Sequence, residues 1–216
     1  MSAIDLSHTI EGGMITYKGL PAPLICDHLA RQASRAIYAE GTEFQIGKIE
    51  MVGNTGTYLD TPFHRYADGH DLSALPLSKV SDVPGLVVAA TDLQAVGRDR
   101  FEPFDVRGRA VLVHTGWSRH WRTDRYFEDH PFLTEDAALY LRDQGVCLVG
   151  IDSHNIDDTR TRTRPVHSVL LAAGIPIVEH MTNLAALSAG EFRFFAVPPK
   201  IAQMGTFPVR AYALIG

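Results

Sequence analysis

Cysteine is scarce in this sequence, and segments that enter or cross membranes are missing from it. Only Cys26 and Cys147 occur in 216 residues, far apart and with no Cys-x-x-Cys spacing. Two isolated thiols argue against a disulfide framework and are typical of a reducing compartment. No apolar run approaches the roughly 18 residues that span a bilayer, and the first residues lack the basic and apolar segments of a secretion signal. We therefore expect a cytoplasmic protein with no membrane partner.

The sequence also lacks an excess of positive charge. It has 20 Lys and Arg residues against 25 Asp and Glu residues, a formal net charge of −5. No basic stripe could follow a phosphate backbone, so nucleic acid is not expected as a partner. Hydrophobic residues make up 45% of the chain, which is enough to build a core and to exclude intrinsic disorder. Because there is no repeat or linker, residues 1–216 are predicted to form a single domain.

Short apolar runs rich in branched residues predict more strands than helices. The predicted strands cover 86–90, 110–114, 146–151, 175–178, 194–197 and 207–214. Two helices are predicted, one capped by Thr134 and ended by Gly145, the other opened by Pro165 and ended by Gly174. This succession predicts an α/β domain with a mixed central sheet.

Histidine is abundant, with ten residues in the chain. One of them, His64, lies four residues after Asp60 in a segment stiffened by Pro62. A carboxylate and an imidazole held in this way could bind a metal ion or form an oriented acid/base pair. The structural alternative is a carboxylate that accepts turn hydrogen bonds beside an exposed histidine.

A second candidate pair lies later in the chain. His167 falls on the helix opened by Pro165, and Glu179 ends the apolar run 175–178. Glu179 is therefore expected at the carboxyl end of a strand, where side chains leave the packed layer and active-site groups concentrate. Taken singly, each residue fits a structural role better than a catalytic one.

Both tryptophans, Trp117 and Trp121, fall in an irregular segment that is rich in aromatic residues and continues to Leu133. A loop of this composition either covers a pocket or a partner subunit, or packs on the core. The sequence leaves these alternatives open.

Taken together, these segments resemble the cyclase family of metal-dependent hydrolases, which includes the bacterial kynurenine formamidases and isatin hydrolases. The family signature is His-x-Gly-Thr-His-x-Asp-x-Pro-x-His, and residues 54–64 read Asn-Thr-Gly-Thr-Tyr-Leu-Asp-Thr-Pro-Phe-His. The segments 4–14, 114–117, 149–153 and 205–211 also resemble the family, and His167 and Glu179 fall where it has a later His and Glu. The resemblance therefore runs nearly end to end.

The resemblance implies a swivelling β/β/α fold, a homodimer or homotetramer, and hydrolysis of an amide or formamide. It further implies that Asp60, His167 and Glu179 hold one metal ion and that His64 is the general acid/base residue.

The chain departs from the signature at the two histidines of a first metal site, which are replaced by Asn54 and Tyr58. An amide oxygen and a neutral phenol are poor zinc ligands. We therefore expect one divalent ion, Zn or Mn, or none, and not two.

The leading hypothesis is a hydrolase of a small amide, formamide or lactam. A bound metal ion would lower the pKa of a water molecule, and His64 would move protons to and from the leaving nitrogen. Tyr58 and Asn54 would donate hydrogen bonds to the substrate or to an oxyanion. Trp117 and Trp121 would cover a flat substrate.

Two alternatives stay open. One is a metal-free cyclase, dehydratase or isomerase that acts through His64 and Tyr58. The other is a non-catalytic protein that keeps the fold and binds a small molecule.

The remaining polar residues have weaker assignments. The run Arg160–Arg164 is predicted to be a solvated loop paired with neighbouring acids, with contact to a carboxylate as the alternative. His154 follows a predicted buried strand and could reach the site. Lys200 and Gln203 could touch an anionic substrate.

Overall fold

A computed structural model describes residues 2–187 and 190–216. The strands of this described part are β1 (Ser2–Asp5), β2 (Leu24–Leu29), β3 (Ile46–Glu50), β4 (Tyr58–Asp60), β5 (Val83–Ala89), β6 (Ala95–Val96), β7 (Ala110–His114), β8 (Phe132–Leu133), β9 (Leu148–Ile151), β10 (Ile177–Glu179), β11 (Phe192–Phe195), β12 (Thr206–Pro208) and β13 (Tyr212–Ile215). The α-helices are α1 (Arg31–Ser34), α2 (Glu135–Asp143) and α3 (Pro165–Ala172).

Nine of these strands form one sheet in the order β1-β13-β11-β5-β7-β9-β10-β4-β12. The central strands β5, β7, β9 and β10 run parallel to their neighbours within this group. β4 and β12 are added antiparallel at one side, and β11, β13 and β1 at the other. The predicted α/β class with a mixed central sheet is therefore confirmed.

The sheet is strongly curled. β12 and β13 are joined by residues 209–211 alone, although six strands lie between them in the sheet order. In a flat sheet they would lie about 34 Å apart, at about 4.8 Å per step, whereas this connection reaches at most about 14 Å. The two edges must therefore approach each other. Backbone bonds from Leu6 to Ala211 and from Val209 to Thr57 join them.

This connection corrects the single final strand predicted for 207–214. Pro208 has no N–H to donate, and the chain leaves the edge beside β4 at that residue. It then enters the opposite side of the sheet as β13, between β1 and β11.

The two longer helices lie close to their predicted bounds. α2 begins after Thr134, but the Thr134 hydroxyl makes no capping bond and donates to the Val96 carbonyl oxygen at 3.2 Å. α3 begins at Pro165, and Gly174 follows its end with a φ of +67°. Both helices contribute to an apolar cluster with the central strands, with members such as Leu141, Leu170, Val111 and Val149.

None of the described helices is both long and apolar enough to cross a bilayer.

The sequence did not predict the hairpin of β2 and β3. Among the described strands, these two pair with each other and with no third strand, and nearly all their residues are exposed. Leu24 and Ile25 are 55% and 49% exposed although they are neighbours on one strand. Since successive side chains point to opposite faces of a strand, both faces of the hairpin are open.

Candidate active site

Asp60 and His64 lie on either side of one hydroxyl group. Asp60 ends β4 and is fully buried, and it faces Thr206 in the pairing of β4 with β12. The Thr206 hydroxyl donates to Asp60 Oδ1 and lies 2.7 Å from His64 Nδ1. Gly205 makes this close packing possible, because a β-carbon there would come within 2.2 Å of the His64 backbone nitrogen. The expected pair is thus held by the strand register and by the turn at Pro62–His64.

His167 is oriented by a buried carboxylate that precedes its helix. Asp157 Oδ2 accepts a hydrogen bond from His167 Nδ1 at 2.6 Å and from the His167 backbone N–H at 3.1 Å. Asp157 Oδ1 accepts from the Val166 backbone N–H at 2.8 Å. Because Nδ1–H is committed to Asp157, Nε2 is the nitrogen of His167 that can bind a ligand.

Glu179 ends β10, opposite Tyr58 in the antiparallel pairing with β4. Its Oε2 accepts a hydrogen bond from the Tyr58 hydroxyl at 2.6 Å, and its Oε1 accepts from the Ile156 backbone N–H at 2.6 Å. These two bonds fix the carboxylate in a site where it is only 1% exposed. Burial raises the pKa of Tyr58, with Glu179 acting in the same direction, and the hydrogen bond with Asn54 only partly opposes this rise.

The three residues expected to hold a metal ion converge on His167 Nε2. That atom lies 3.7 Å from Asp60 Oδ2 and 3.7 Å from Glu179 Oε1. Ligand atoms about 2.1 Å from a tetrahedral zinc ion are about 3.4 Å apart, so each of these two spacings to His167 Nε2 is compatible with a shared ion. Asp60 Oδ2 is also buried without a hydrogen-bond partner among the described residues, as expected for an atom that binds a metal ion.

His64 lies close enough to belong to the same cluster. Ligand atoms of Asp60, His64 and His167 all lie within 4.8 Å of one another. The His64 side chain is 35% exposed, whereas that of His167 is 7% exposed. The structure therefore supports a metal centre at this point and leaves His64 either as a ligand or as the neighbouring base.

The electrostatics of the cluster favour a cation. Burial opposes a charge on His167, but Glu179, Asp157 and Asp60 outweigh it and raise its pKa to about 10. Burial raises the pKa of Glu179 to about 7, with Asp60 acting in the same direction and His167 against it. A positive charge therefore stabilises the buried carboxylates. Either a proton on Nε2 of His167 or a metal ion can supply that charge.

The cluster forms the floor of a cavity of about 1020 Å³. Asn54, Tyr58, His64, His167 and Glu179 line it, so five of the eight predicted site residues meet in one pocket, and Asp60 lies directly behind them. Its volume is at the upper end of the roughly 300–1,000 Å³ typical of small-molecule sites.

The structure does not bring the tryptophans to this cavity. Among the described residues that line it, neither Trp117 nor Trp121 is found. Trp117 is buried and donates its indole N–H to the Tyr126 carbonyl oxygen at 3.0 Å. Trp121 stacks on His8 at a ring distance of 4.0 Å and packs edge-on against His180. The expected cover over the substrate is thus replaced, in this chain, by a packed aromatic cluster.

His154 belongs to the same packed cluster. Its ring lies 5.5 Å from that of His180 and 4.6 Å from that of Tyr17. Its neighbour Asn155, and not His154, lines the cavity.

Two residues that orient the site were not assigned a role from the sequence. They are Asp157, shortly before the run Arg160–Arg164, and Thr206, within the segment 205–211. For Asp157 the available signal was a carboxylate shortly before a helix that starts with proline, where N–H groups need acceptors. Thr206 gave no signal of its own, because its role depends on the pairing of β12 with β4.

Comparison with known proteins agrees with this geometry. The model of a family described as "Putative cyclase" matches residues 4–158. The chain belongs to this cyclase family. Its curated relatives include the kynurenine formamidase of Geobacillus thermodenitrificans, 31% identical over 175 residues, which cover 80% of this chain and 81% of that one. The kynurenine formamidase of Bacillus cereus is 29% identical over 173 residues, again covering 80% and 81%.

Solved structures show the same cyclase fold. A potential metal-dependent hydrolase with cyclase activity superposes with a TM-score of 0.80 at 25% identity, covering 98% of this chain and 96% of that one. An isatin hydrolase bound to the product analogue thioisatinate has a TM-score of 0.82 at 19% identity, covering 99% and 92%. The family expected from the signature is confirmed, including its fold.

Proposed function

We propose that this cyclase-family protein is a metal-dependent hydrolase of a small amide, formamide or lactam, with an arylformamidase-like activity. The observation that carries the proposal is the convergence of Asp60, His167 and Glu179 on the floor of a cavity, with His64 beside them. The kynurenine formamidases among its relatives support the enzyme class.

One divalent ion, Zn or Mn, would be held by Asp60 Oδ2, His167 Nε2 and Glu179. When bound, such an ion lowers the pKa of water and polarises a carbonyl group. The phenol of Tyr58 and the amide of Asn54 stand in place of two imidazoles, and neither is a good ligand for a second ion. The proposal is therefore one ion per chain.

His64 is the proton carrier of the proposal. The Thr206 hydroxyl has one proton and donates it to the Asp60 carboxylate, so its contact with His64 must use the Nδ1–H of the imidazole as donor. Nε2 of His64 is then the basic nitrogen. It takes a proton from the attacking water and delivers it to the leaving nitrogen.

Tyr58 receives a different role from the one expected. Its hydroxyl proton is already donated to Glu179, so it orients that carboxylate. The hydrogen bond to the substrate carbonyl or to the oxyanion is then left to the Asn54 amide, which also lines the cavity.

Hydrolysis of a panel of formanilides and isatin-type lactams tests the function. We expect turnover by the wild type, loss of turnover on exhaustive chelation, and recovery with Zn²⁺ or Mn²⁺. His64→Ala should abolish turnover, whereas His28→Ala, at an exposed position on β2, should not. Turnover that survives chelation would replace the proposal with the metal-free alternative. If the metal-loaded protein hydrolyses none of these amides, the alternative that remains is a non-catalytic protein that binds a small molecule.

We also propose that the chain assembles as a homodimer or homotetramer through the β2–β3 hairpin. A two-stranded hairpin is marginal in water by itself, and clustered exposed apolar side chains mark interaction surfaces. Besides Leu24 and Ile25, Ile46 and Ile49 on β3 are each 48% exposed. A second copy that covers them would stabilise the hairpin.

Light scattering coupled to size-exclusion chromatography tests this assembly. Ile25→Glu and Ile49→Glu should each reduce the mass towards that of one chain. Leu77→Glu, which changes an even more exposed apolar residue outside the hairpin, should leave the mass unchanged. A wild-type mass of one chain would contradict the proposal.

A further inference from the structure

Positive side chains surround the cavity mouth of this acidic protein. Lys18, Arg65, Arg162 and Arg164 line the cavity, while Glu135 is the one acidic residue of the described lining besides the buried Glu179. The formal net charge of the chain is −5. The positive charge is therefore local to the cavity.

Arg164 is fixed in place without a countercharge. Its Nη1 donates to the backbone carbonyl oxygens of Asp158, Thr161 and Thr163, at 3.4, 2.8 and 2.7 Å. It is only half-buried, yet within the described residues no carboxylate oxygen lies within ion-pair distance of it. Arg160, nearby in the same loop, instead forms a paired contact with Asp158 Oδ1 and Oδ2, both at 2.9 Å.

The other three positive side chains that line the cavity differ in the contacts they make. Lys18 is 3.9 Å from Asp124 and lies over the Phe127 ring. Arg65 donates weakly to Ser168 at 3.3 Å. For Arg162, which is exposed, the described part of the chain offers no hydrogen-bond or ion-pair partner.

The Arg164 guanidinium is held in place by backbone carbonyl oxygens, partly exposed and with no paired carboxylate in the described part of the chain, so it is free to pair with an anionic ligand. Its fork of N–H groups matches a carboxylate better than a neutral amide or a hydroxyl. We propose that the substrate carries a carboxylate remote from the bond that is hydrolysed, and that Arg164, assisted by Arg162, binds this carboxylate at the cavity mouth. The inference rests on the proposed amide hydrolysis and adds the charge of the substrate.

Matched substrates test the inference. Formanilides with a carboxylate at the ortho, meta or para position are compared with the primary carboxamides of the same shape. For the metal-loaded wild type we expect kcat/KM to be about 10-fold to 100-fold higher for at least one carboxylate than for its carboxamide. The difference should lie mainly in KM and should shrink at high salt.

Substitutions of single arginines distinguish carboxylate binding by Arg164 and Arg162 from a general effect of positive charge on the protein. Arg164→Gln should remove most of the preference, and Arg164→Lys should restore only part of it. Arg162→Gln should weaken the preference without affecting folding, because the Arg162 side chain is exposed and has no hydrogen-bond or ion-pair partner among the described residues. Arg107→Gln removes an exposed positive charge outside the cavity and should leave the preference unchanged. Equal kcat/KM for carboxylates and carboxamides, or a preference unchanged in both cavity variants, would overturn the inference.

A binding measurement keeps this result separate from the function proposal. By calorimetry, 2-aminobenzoate should bind the wild type more tightly than 2-aminobenzamide, and Arg162→Gln should reduce the difference. If no formanilide is hydrolysed but this difference is found, the hydrolase proposal fails and the carboxylate anchor stands. If hydrolysis occurs and binding shows no difference, the anchor fails alone.

Discussion

The Tyr58 hydroxyl donates a hydrogen bond of 2.6 Å to Glu179 Oε2, deep in the site. The antiparallel pairing of β4 with β10 sets these residues opposite each other. A phenol that keeps its proton to donate it to a carboxylate is neutral, and a neutral phenol is a poor metal ligand. Tyr58 thus fills one end of the site and holds the carboxylate that would serve the remaining ion.

Tyr58→Phe should destabilise the protein measurably. The change leaves Glu179 Oε2 buried without its donor, which costs about 1–3 kcal/mol for a charged acceptor. Urea unfolding would measure the free energy of unfolding. Tyr140→Phe is the control, since Tyr140 is half-buried and its hydroxyl has no recorded hydrogen bond among the described residues. A loss no greater than that of the control would show that the bond contributes nothing.

Asp157→Asn should weaken metal binding while the direct ligands stay in place. Asp157 holds His167 by its Nδ1, and loss of such an orienting partner reduces metal affinity by about 10-fold to 100-fold. Competition with a chelator of known affinity measures the change. Asp158→Asn, next in sequence but paired with Arg160 on the surface, is the control. Equal metal affinities of Asp157→Asn and the wild type would show that the hydrogen bond from His167 to Asp157 does not contribute to metal binding.

Thr206→Val should reduce turnover more than metal content. The hydroxyl connects Asp60 with His64 Nδ1, so its loss frees the imidazole to adopt the wrong tautomer. We expect kcat to fall by at least about 10-fold, within the range of general acid/base effects, while the ion is retained. Thr206→Ser should recover most of the activity. Full activity of the valine variant would exclude the hydroxyl from proton transfer.

Stability should fall as the pH falls below neutrality, partly through His154. Burial lowers its pKa to about 3, with His130 and Arg164 acting in the same direction. The folded pKa is below the unfolded value of about 6.5, so the unfolded chain binds more protons between these values and gains stability as pH decreases. Between about pH 7 and pH 5 this residue should cost about 2 kcal/mol.

His154→Gln should remove that share of the pH dependence. Urea unfolding of the variant and the wild type at both pH values gives the comparison. His28→Gln, at an exposed residue, should keep the slope of the wild type. Parallel slopes for His154→Gln and the wild type would contradict the assignment.

The sequence predicted those features that depend on local pattern. The helices at Thr134 and Pro165 and the central strands were found near their expected positions, because capping residues and apolar runs act over short distances. The register of β4 with β10 and β12 could not be predicted, although it decides which atoms meet at Asp60 and Glu179. The roles of Tyr58 and Thr206 follow from that register, which involves residues more than a hundred positions away.

The tryptophan segment shows what composition alone could not predict. Its many aromatic residues indicated that it packs against other residues, but they could not identify those residues. The Trp121 ring contacts His8, His180 and Tyr126, and neither tryptophan is among the described residues that line the cavity. The exposed hairpin was missed because Leu24, Ile25, Ile46 and Ile49 do not alternate with polar residues as in a half-buried strand.

The metal content of single variants, measured by plasma mass spectrometry after equilibration with Zn²⁺ or Mn²⁺, distinguishes the proposed ligand set from one that includes His64. We expect one ion per chain in the wild type and in His64→Ala, and none in His167→Ala or in Asp60→Asn. His64→Ala should keep its ion and lose formamide hydrolysis. Loss of the ion from His64→Ala, or two ions in the wild type, would contradict the assignment of Asp60, His167 and Glu179 as the ligand set and of His64 as the base.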